Sequence, residues 1–252
     1  MANAAAVLIT IPLSHYCEKA RWALDRVGLA YAEEPHAPLF HRLATRRGER
    51  GTVPVLVHGG RRYADSTAIL EHADATQGGD LLYPRDAALG RREVAAWEET
   101  FDTKLGPHSR RWAYAELLGR PELLGELWSR GVPRHEALLL PLITPLARRL
   151  VRAAYKVTAD GAQRSLQQVQ AVFQQVDRQL SDGRRFLVAD RFSAADLTFA
   201  SLAAPALYPP GYRAVHPPLE AMSAATRAEV ERLRDTAAGR FALRLFAEER
   251  GA

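Results

Sequence analysis

Cysteine is nearly missing from this chain: Cys17 is the only one in 252 residues. No intrachain disulfide and no multi-cysteine zinc site is possible, and a reducing, cytoplasmic setting is expected. Lysine is almost as scarce. Of 34 Lys+Arg only Lys19, Lys104 and Lys156 are lysines, so the net charge of +5 is carried by arginine. These arginines are spread out and mostly alternate with acids, without the clustering and interleaved aromatics of a nucleic-acid surface, so no nucleic-acid partner is expected. Long apolar runs are lacking too. The most apolar stretch, Ala137 to Ala147, is short, holds Pro141 and Pro145, and ends at Arg148-Arg149. It predicts a buried helix start and no membrane insertion. The opening residues Met1-Ala2-Asn3-Ala4 have no basic leader pattern. His-Glu-x-x-His, a Walker-type loop and Gly-x-Gly-x-x-Gly are all missing, which argues against metal or nucleotide chemistry.

What is present is organised around Ser14-His15-Tyr16-Cys17-Glu18-Lys19-Ala20-Arg21. The β-favouring run Ala6 to Ile11 precedes it, Pro12 ends that strand, and a helical pattern runs from about Tyr16 to Gly28. Ser14 therefore falls on a strand-to-helix turn at the helix N-cap. The first N–H groups of a helix are unpaired and its N-terminus is electropositive, so an anion is stabilised there. A hydroxyl at that point can donate to a bound thiolate, or it can simply cap the helix.

Residues 1–85 read as strand, helix, strand, a weakly patterned region, two strands and a helix. The second strand is expected over Leu29 to Glu33. Gly59-Gly60 mark a hairpin between Val53–Val57 and Arg61–Ala64. In Val53-Pro54 the proline opens a strand, where its missing N–H is tolerated, and a cis bond there turns the Val53 backbone toward a ligand. Asp65-Ser66 sit at the mouth of a further helix, a pairing of acid, hydroxyl and helix N-terminus suited to an amino-acid zwitterion. Leu81 to Arg85 read as a linker. Helices follow at about 86–106, 110–118, 122–130, 135–156, 163–180, 194–203, 226–237 and 240–249. The five prolines between Pro205 and Pro218 predict an irregular excursion. In Phe192-Ser193-Ala194-Ala195-Asp196-Leu197, Ser193 and Asp196 make a capping box, and Phe192 with Leu197 a hydrophobic staple.

Four of these stretches, taken in order, resemble the cytosolic glutathione S-transferase family. Ser14 to Arg21 is similar to the catalytic stretch of its serine-type, zeta- and theta-like members. Gly51-Thr52-Val53-Pro54 resembles the cis-proline element. Asp65-Ser66-Thr67 resembles the Glu/Gln-Ser element that holds the γ-glutamyl group, and Ser193 to Leu197 resembles the family's capping box. The resemblance implies an α/β thioredoxin-like N-terminal domain over 1–82, an all-α C-terminal domain over 83–252, and a homodimer. It implies glutathione as co-substrate, Ser14 as the residue activating its thiol, and Val53, Pro54, Asp65 and Ser66 as its binding residues. The partner is a small, largely apolar electrophile, reached by transfer, isomerisation or dehalogenation. Tyr16, Trp97, Phe101, Trp112 and Tyr114 are the candidates for its pocket.

The sequence departs from the family pattern at three points, one of them the Pro205–Pro218 excursion, which is not a general family feature. Asp65 is shorter than the usual Glu or Gln. Arg46 to Arg50 replace the usual residues before the cis-proline element, and they or His41 are candidates for the glycine carboxylate of glutathione. Tyr16 and Cys17 rival Ser14 as the activating group. A non-catalytic protein keeping the fold for ligand or partner binding is the rival function.

Overall fold

The computed structural model describes residues 6–46, 51–84 and 88–251. Four strands, β1 (Ala6–Thr10), β2 (Tyr31–Pro35), β3 (Val55–His58) and β4 (Arg61–Tyr63), form one mixed sheet in the order β2-β1-β3-β4. β1 pairs parallel to β2, with Ala6 opposite Tyr31, and antiparallel to β3, with Leu8 opposite Leu56. The crossover from β1 to β2 is helix α1 (His15–Arg26). Gly59 and Gly60 both take positive φ, as the tight β3–β4 hairpin requires. The second strand begins two residues later than the sequence suggests. The Leu29 N–H bonds back to the Leu24 carbonyl at 3.0 Å, so Leu29 belongs to the helix end. A short α2 (His41–Ala44) and α3 (Ser66–Thr76) complete this thioredoxin-like unit.

Asp74 Oδ1 accepts from the Leu81 and Leu82 N–H groups, each at 2.8 Å, and the Leu82 carbonyl accepts from Ala194 at 2.9 Å. The crossing to the helical unit is thus pinned to both sides. There α4 (Ala88–Thr100), a π turn (Phe101–Leu105) and α5 (Gly106–Leu117) run as one continuous element, with no break at Gly106. Pro107 has no N–H to offer the helical ladder, and the ladder widens just before it. Then come α6 (Pro121–Ser129), α7 (Arg134–Ala154), α8 (Ala159–Gln179), α9 (Ala194–Leu207), α10 (Ala224–Arg234) and α11 (Ala237–Glu248).

α9 is the centre of the helical unit, with thirteen of its fourteen residues buried. Its start is built as the sequence implies. Asp196 accepts from the Ser193 N–H and from the Leu187 N–H, each at 2.8 Å, and Phe192 and Leu197 are buried in the same core. Burial pushes the Asp196 carboxyl up to about 6. α1 lies between the sheet and α9, and one apolar core runs through both units. Among the described residues no helix is long and apolar enough to cross a membrane.

Gly106 owes its place to a close approach. A Cβ there meets the Tyr16 ring, with Cζ at 2.7 Å and the hydroxyl oxygen closer still. The Tyr16 hydroxyl donates to the Asp102 carbonyl at 2.8 Å, joining α1 to the π turn. Gly106→Ala is expected to displace Tyr16 and cost about 1–3 kcal/mol of stability, the usual penalty of overpacking, as checked by urea unfolding.

Candidate functional site

A cavity of about 270 Å³ lies at the joint of the two units. Its floor comes from the first βα turn. Ser14 is the N-cap of α1, half-buried, and its Oγ accepts from the Cys17 N–H at 3.3 Å. That acceptor role leaves the hydroxyl proton to be donated, at the electropositive end of a twelve-residue helix. Val53 lines the same cavity, and the Val53-Pro54 bond is cis. Ser14 and Val53, far apart in sequence, are thereby brought to one wall.

Asp65 and Ser66 do not line the cavity. Asp65 is exposed and caps α3, its carboxylate accepting from the Thr67 N–H at 2.9 Å, while Ser66 is buried in the first turn. Four of the five aromatic candidates, Tyr16, Trp97, Phe101 and Trp112, also lie elsewhere. Phe101 is fully buried in the core and Trp97 stacks on it with ring centroids 5.3 Å apart. Trp112 packs against both apolar cores. The Tyr16 hydroxyl is committed to the Asp102 carbonyl, and burial pushes it far above the ordinary tyrosine range. On α5 the face that lines the cavity is Arg110, Ala113, Tyr114 and Leu117, an i, i+3, i+4, i+7 stripe, and Tyr114 is the one aromatic candidate on it.

Cys17 is fully buried, and burial raises its thiol above its ordinary value despite the nearby Arg21 charge. It does not line the cavity. Lys19 and Arg21 are buried ion-pair residues. The Lys19 ammonium lies 2.8 Å from Glu98 and 2.7 Å from Asp102, and Arg21 donates to Glu33 at 2.7 Å. Glu18 is completely buried and accepts from the Ala214 N–H at 3.1 Å and from Arg250 Nε at 2.7 Å.

That contact gives the proline-rich excursion its role. α9 continues through Pro205 to Leu207, and the irregular path begins at Tyr208. The Val215 N–H bonds to the Pro12 carbonyl at 3.0 Å, and Arg234 donates to the Leu207 and Tyr208 carbonyls at 2.8 and 2.7 Å. Held in this way, Pro205, Tyr208, Tyr212, His216 and Pro217 form a wall of the cavity. Two cavity residues other than glycine have left-handed backbones, Leu39 at φ 78° and Tyr208 at φ 49°. Such positions persist where surrounding structure enforces them, and they gather at functional sites.

Polar groups in the cavity are sparse and mostly cationic or neutral. His15 Nε2 lies 3.0 Å from the Gly106 carbonyl, and burial, with the charge of Arg110, lowers its pKa to about 3, so it stays neutral and donates that hydrogen bond. His41 is lowered to about 4 by burial and by Arg42, and is neutral as well. Arg42 and Arg110 are the permanent charges, and neither was singled out from the sequence. Arg47 and Arg50 lie outside the described residues, and Arg46 is exposed. Among the described residues no group of three or more His, Cys, Asp or Glu side chains is placed to hold a metal ion.

Residues 8–80 match the family description "Glutathione S-transferase, N-terminal domain", and residues 133–224 match "Glutathione S-transferase, C-terminal domain". The chain belongs to the glutathione S-transferase family. The two matches fall on the sheet unit and on the helices from α7 to the start of α10, with α5 lying between them. Solved structures of the same fold include a glutathione transferase of Populus trichocarpa, 16% identical over 98% of this chain and 99% of that one, with a TM-score of 0.57. The beta-etherase LigF of a Sphingobium species is 19% identical over 96% and 99%, with a TM-score of 0.58. A theta class glutathione S-transferase of Xanthomonas axonopodis pv. citri, solved with glutathione bound, is 18% identical over 95% and 97%, with a TM-score of 0.58. No curated protein is similar enough in sequence to count as a relative. At these identities the likeness to solved structures concerns the fold.

Proposed function

We propose that this glutathione S-transferase family member is a glutathione transferase in which the Ser14 hydroxyl stabilises the glutathione thiolate for attack on a small electrophile. The observation that carries the reading is the position of Ser14, at the mouth of α1 and in the wall of an interdomain cavity. A free thiol with a pKa near 8.5 is only a few per cent ionised at neutral pH. Lowering it by about two units stabilises the thiolate by roughly 2.7 kcal/mol, within reach of a charge-assisted hydrogen bond added to a helix terminus.

The same reading gives the remaining groups their roles. The Val53 backbone, in the lining of the same cavity as Ser14, is suited to pair with the cysteinyl segment of glutathione. The N-terminus of the eleven-residue α3, with Asp65 and Ser66, takes the γ-glutamyl end. Arg42 is a better partner than neutral His41 for the glycine carboxylate, because its charge does not depend on pH. The electrophile occupies the side walled by α5, α7 and the excursion after α9, where most of the lining is apolar. We take the protein to act as a homodimer in the cytoplasm, where its one thiol stays reduced.

Calorimetric titration with glutathione and with S-methyl-glutathione tests this. Saturable binding of both, tighter for the free thiol, is the expected result. Failure of both to bind overturns the reading in favour of a protein that keeps the fold for other ligands.

A further inference from the structure

We propose that the electrophile accepted by this cavity is an anion, an apolar or aromatic compound bearing a carboxylate, and that Arg110 holds that carboxylate. The inference rests on the functional reading above and specifies its second substrate. Among the described residues lining the cavity there is no Asp or Glu, while two guanidinium groups are present. The two belong to different walls. Arg42 is on the thioredoxin-like side, its Cγ packed 3.6 Å from where a Cβ on Gly51 would lie, in the wall that holds Val53. Arg110 is on α5, beside Tyr114 and Tyr155 on the helical side. One cation is therefore available for glutathione and one for its partner.

The surroundings of Arg110 set it apart from the other cations at the joint. Lys19, Arg21 and Arg250 each make ion pairs with acids. Arg110 makes none among the described residues, and its Nε is shut off from solvent without an acceptor. Its guanidinium carbon lies 4.0 Å above the Tyr155 ring and 5.7 Å from the Tyr16 ring. Stacking occupies the face of a guanidinium and leaves the in-plane N–H groups at its edge for a planar acceptor. A sheltered cation without a counterion is costly, and a ligand carboxylate offsets that cost with directed, charge-assisted hydrogen bonds. Neutral His15 brings no competing charge to the same wall.

The test is calorimetric titration of the full chain with three probes separately: 3-nitrobenzoate, 3-nitrobenzamide and glutathione. Wild type, Arg110→Met and Arg110→Lys are compared, with circular dichroism to confirm folding. In wild type, 3-nitrobenzoate is expected to bind at least about tenfold more tightly than its neutral amide, the size of one charged hydrogen bond. Arg110→Met removes that preference, Arg110→Lys keeps part of it, and glutathione affinity stays unchanged in both variants. Equal binding of the two nitroarenes by wild type overturns the proposal even where glutathione binds. So does a loss of glutathione affinity in Arg110→Met as large as the loss for 3-nitrobenzoate, because Arg110 then serves glutathione. An Arg110-dependent preference for 3-nitrobenzoate in a protein that does not bind glutathione upholds the anion site and overturns the transferase reading.

Discussion

Replacing Ser14 by alanine is expected to lower kcat/KM at pH 7 by about 10²–10³-fold, the usual effect of removing one donor aimed at a reacting anion. The loss has a pH signature. Without the hydroxyl the bound thiol is less acidic, so the limb on which kcat/KM rises with thiolate formation moves to higher pH. A charged hydrogen bond of about 1.5–3 kcal/mol corresponds to about one to two pH units. Part of the lost activity therefore returns in alkali.

Ser14 also caps α1, and losing the cap costs about 1 kcal/mol of stability. Ser14→Gly separates the two roles, since glycine is nearly as good a cap but carries no hydroxyl. It is expected to match alanine in activity while keeping most of the stability, and Ser14→Thr is expected to keep both. Initial rates across pH with a chloronitroarene acceptor, beside urea unfolding, read out all three variants. Unchanged turnover in Ser14→Gly removes Ser14 from the reaction. Tyr16 is then a weak replacement, because its hydroxyl is already donated to Asp102 and is held far from ionisation.

Lys19→Met is expected to cost about 3–5 kcal/mol of stability, seen as a fall in melting temperature on the order of 10 °C. Lys19 is fully buried, and its ammonium is shared by Glu98 and Asp102. Removing it leaves two carboxylates at the domain joint without a cation. Burial already raises the Asp102 carboxyl with Lys19 in place. Acids whose folded pKa is raised stabilise the folded state below their unfolded pKa and lose that contribution as pH rises through the folded one. The Lys19→Met defect is therefore smallest in acid and grows toward neutrality. Adding Glu98→Gln and Asp102→Asn recovers most of the loss and flattens the pH dependence. A defect of the same size at every pH, or no rescue by the neutral pair, overturns the ion-pair account.

The cluster also reaches the proposed glutathione site. The Thr67 hydroxyl lies 3.2 Å from the Lys19 ammonium and within 3.0 Å of both Glu98 and Asp102, and Thr67 is in the first turn of α3, next to Asp65 and Ser66. The KM for glutathione is accordingly expected to rise more in Lys19→Met than the KM for the acceptor.

Local features of this chain were legible from its residues alone. Pro12 followed by Ser14 sets a strand end and a helix cap within three positions. Gly59-Gly60 allows the tight hairpin, and Ser193 with Asp196 starts α9, because each needs only neighbours a few residues away. The cavity is different in kind. Its walls join Ser14 to Arg110, Tyr155 and His216, and no local rule says which side of a distant helix will face the first turn. Of the aromatic candidates after the linker, Tyr114 faces the cavity beside Arg110, while Trp97, Phe101 and Trp112 pack into the cores. Buried Glu18, near in sequence to Ser14, turned out to anchor the segment around Ala214. Backbone propensity and capping act over one or two turns and are written in the sequence. The partner of a buried charge, and the face a helix presents to a cavity, are settled only when the whole core packs.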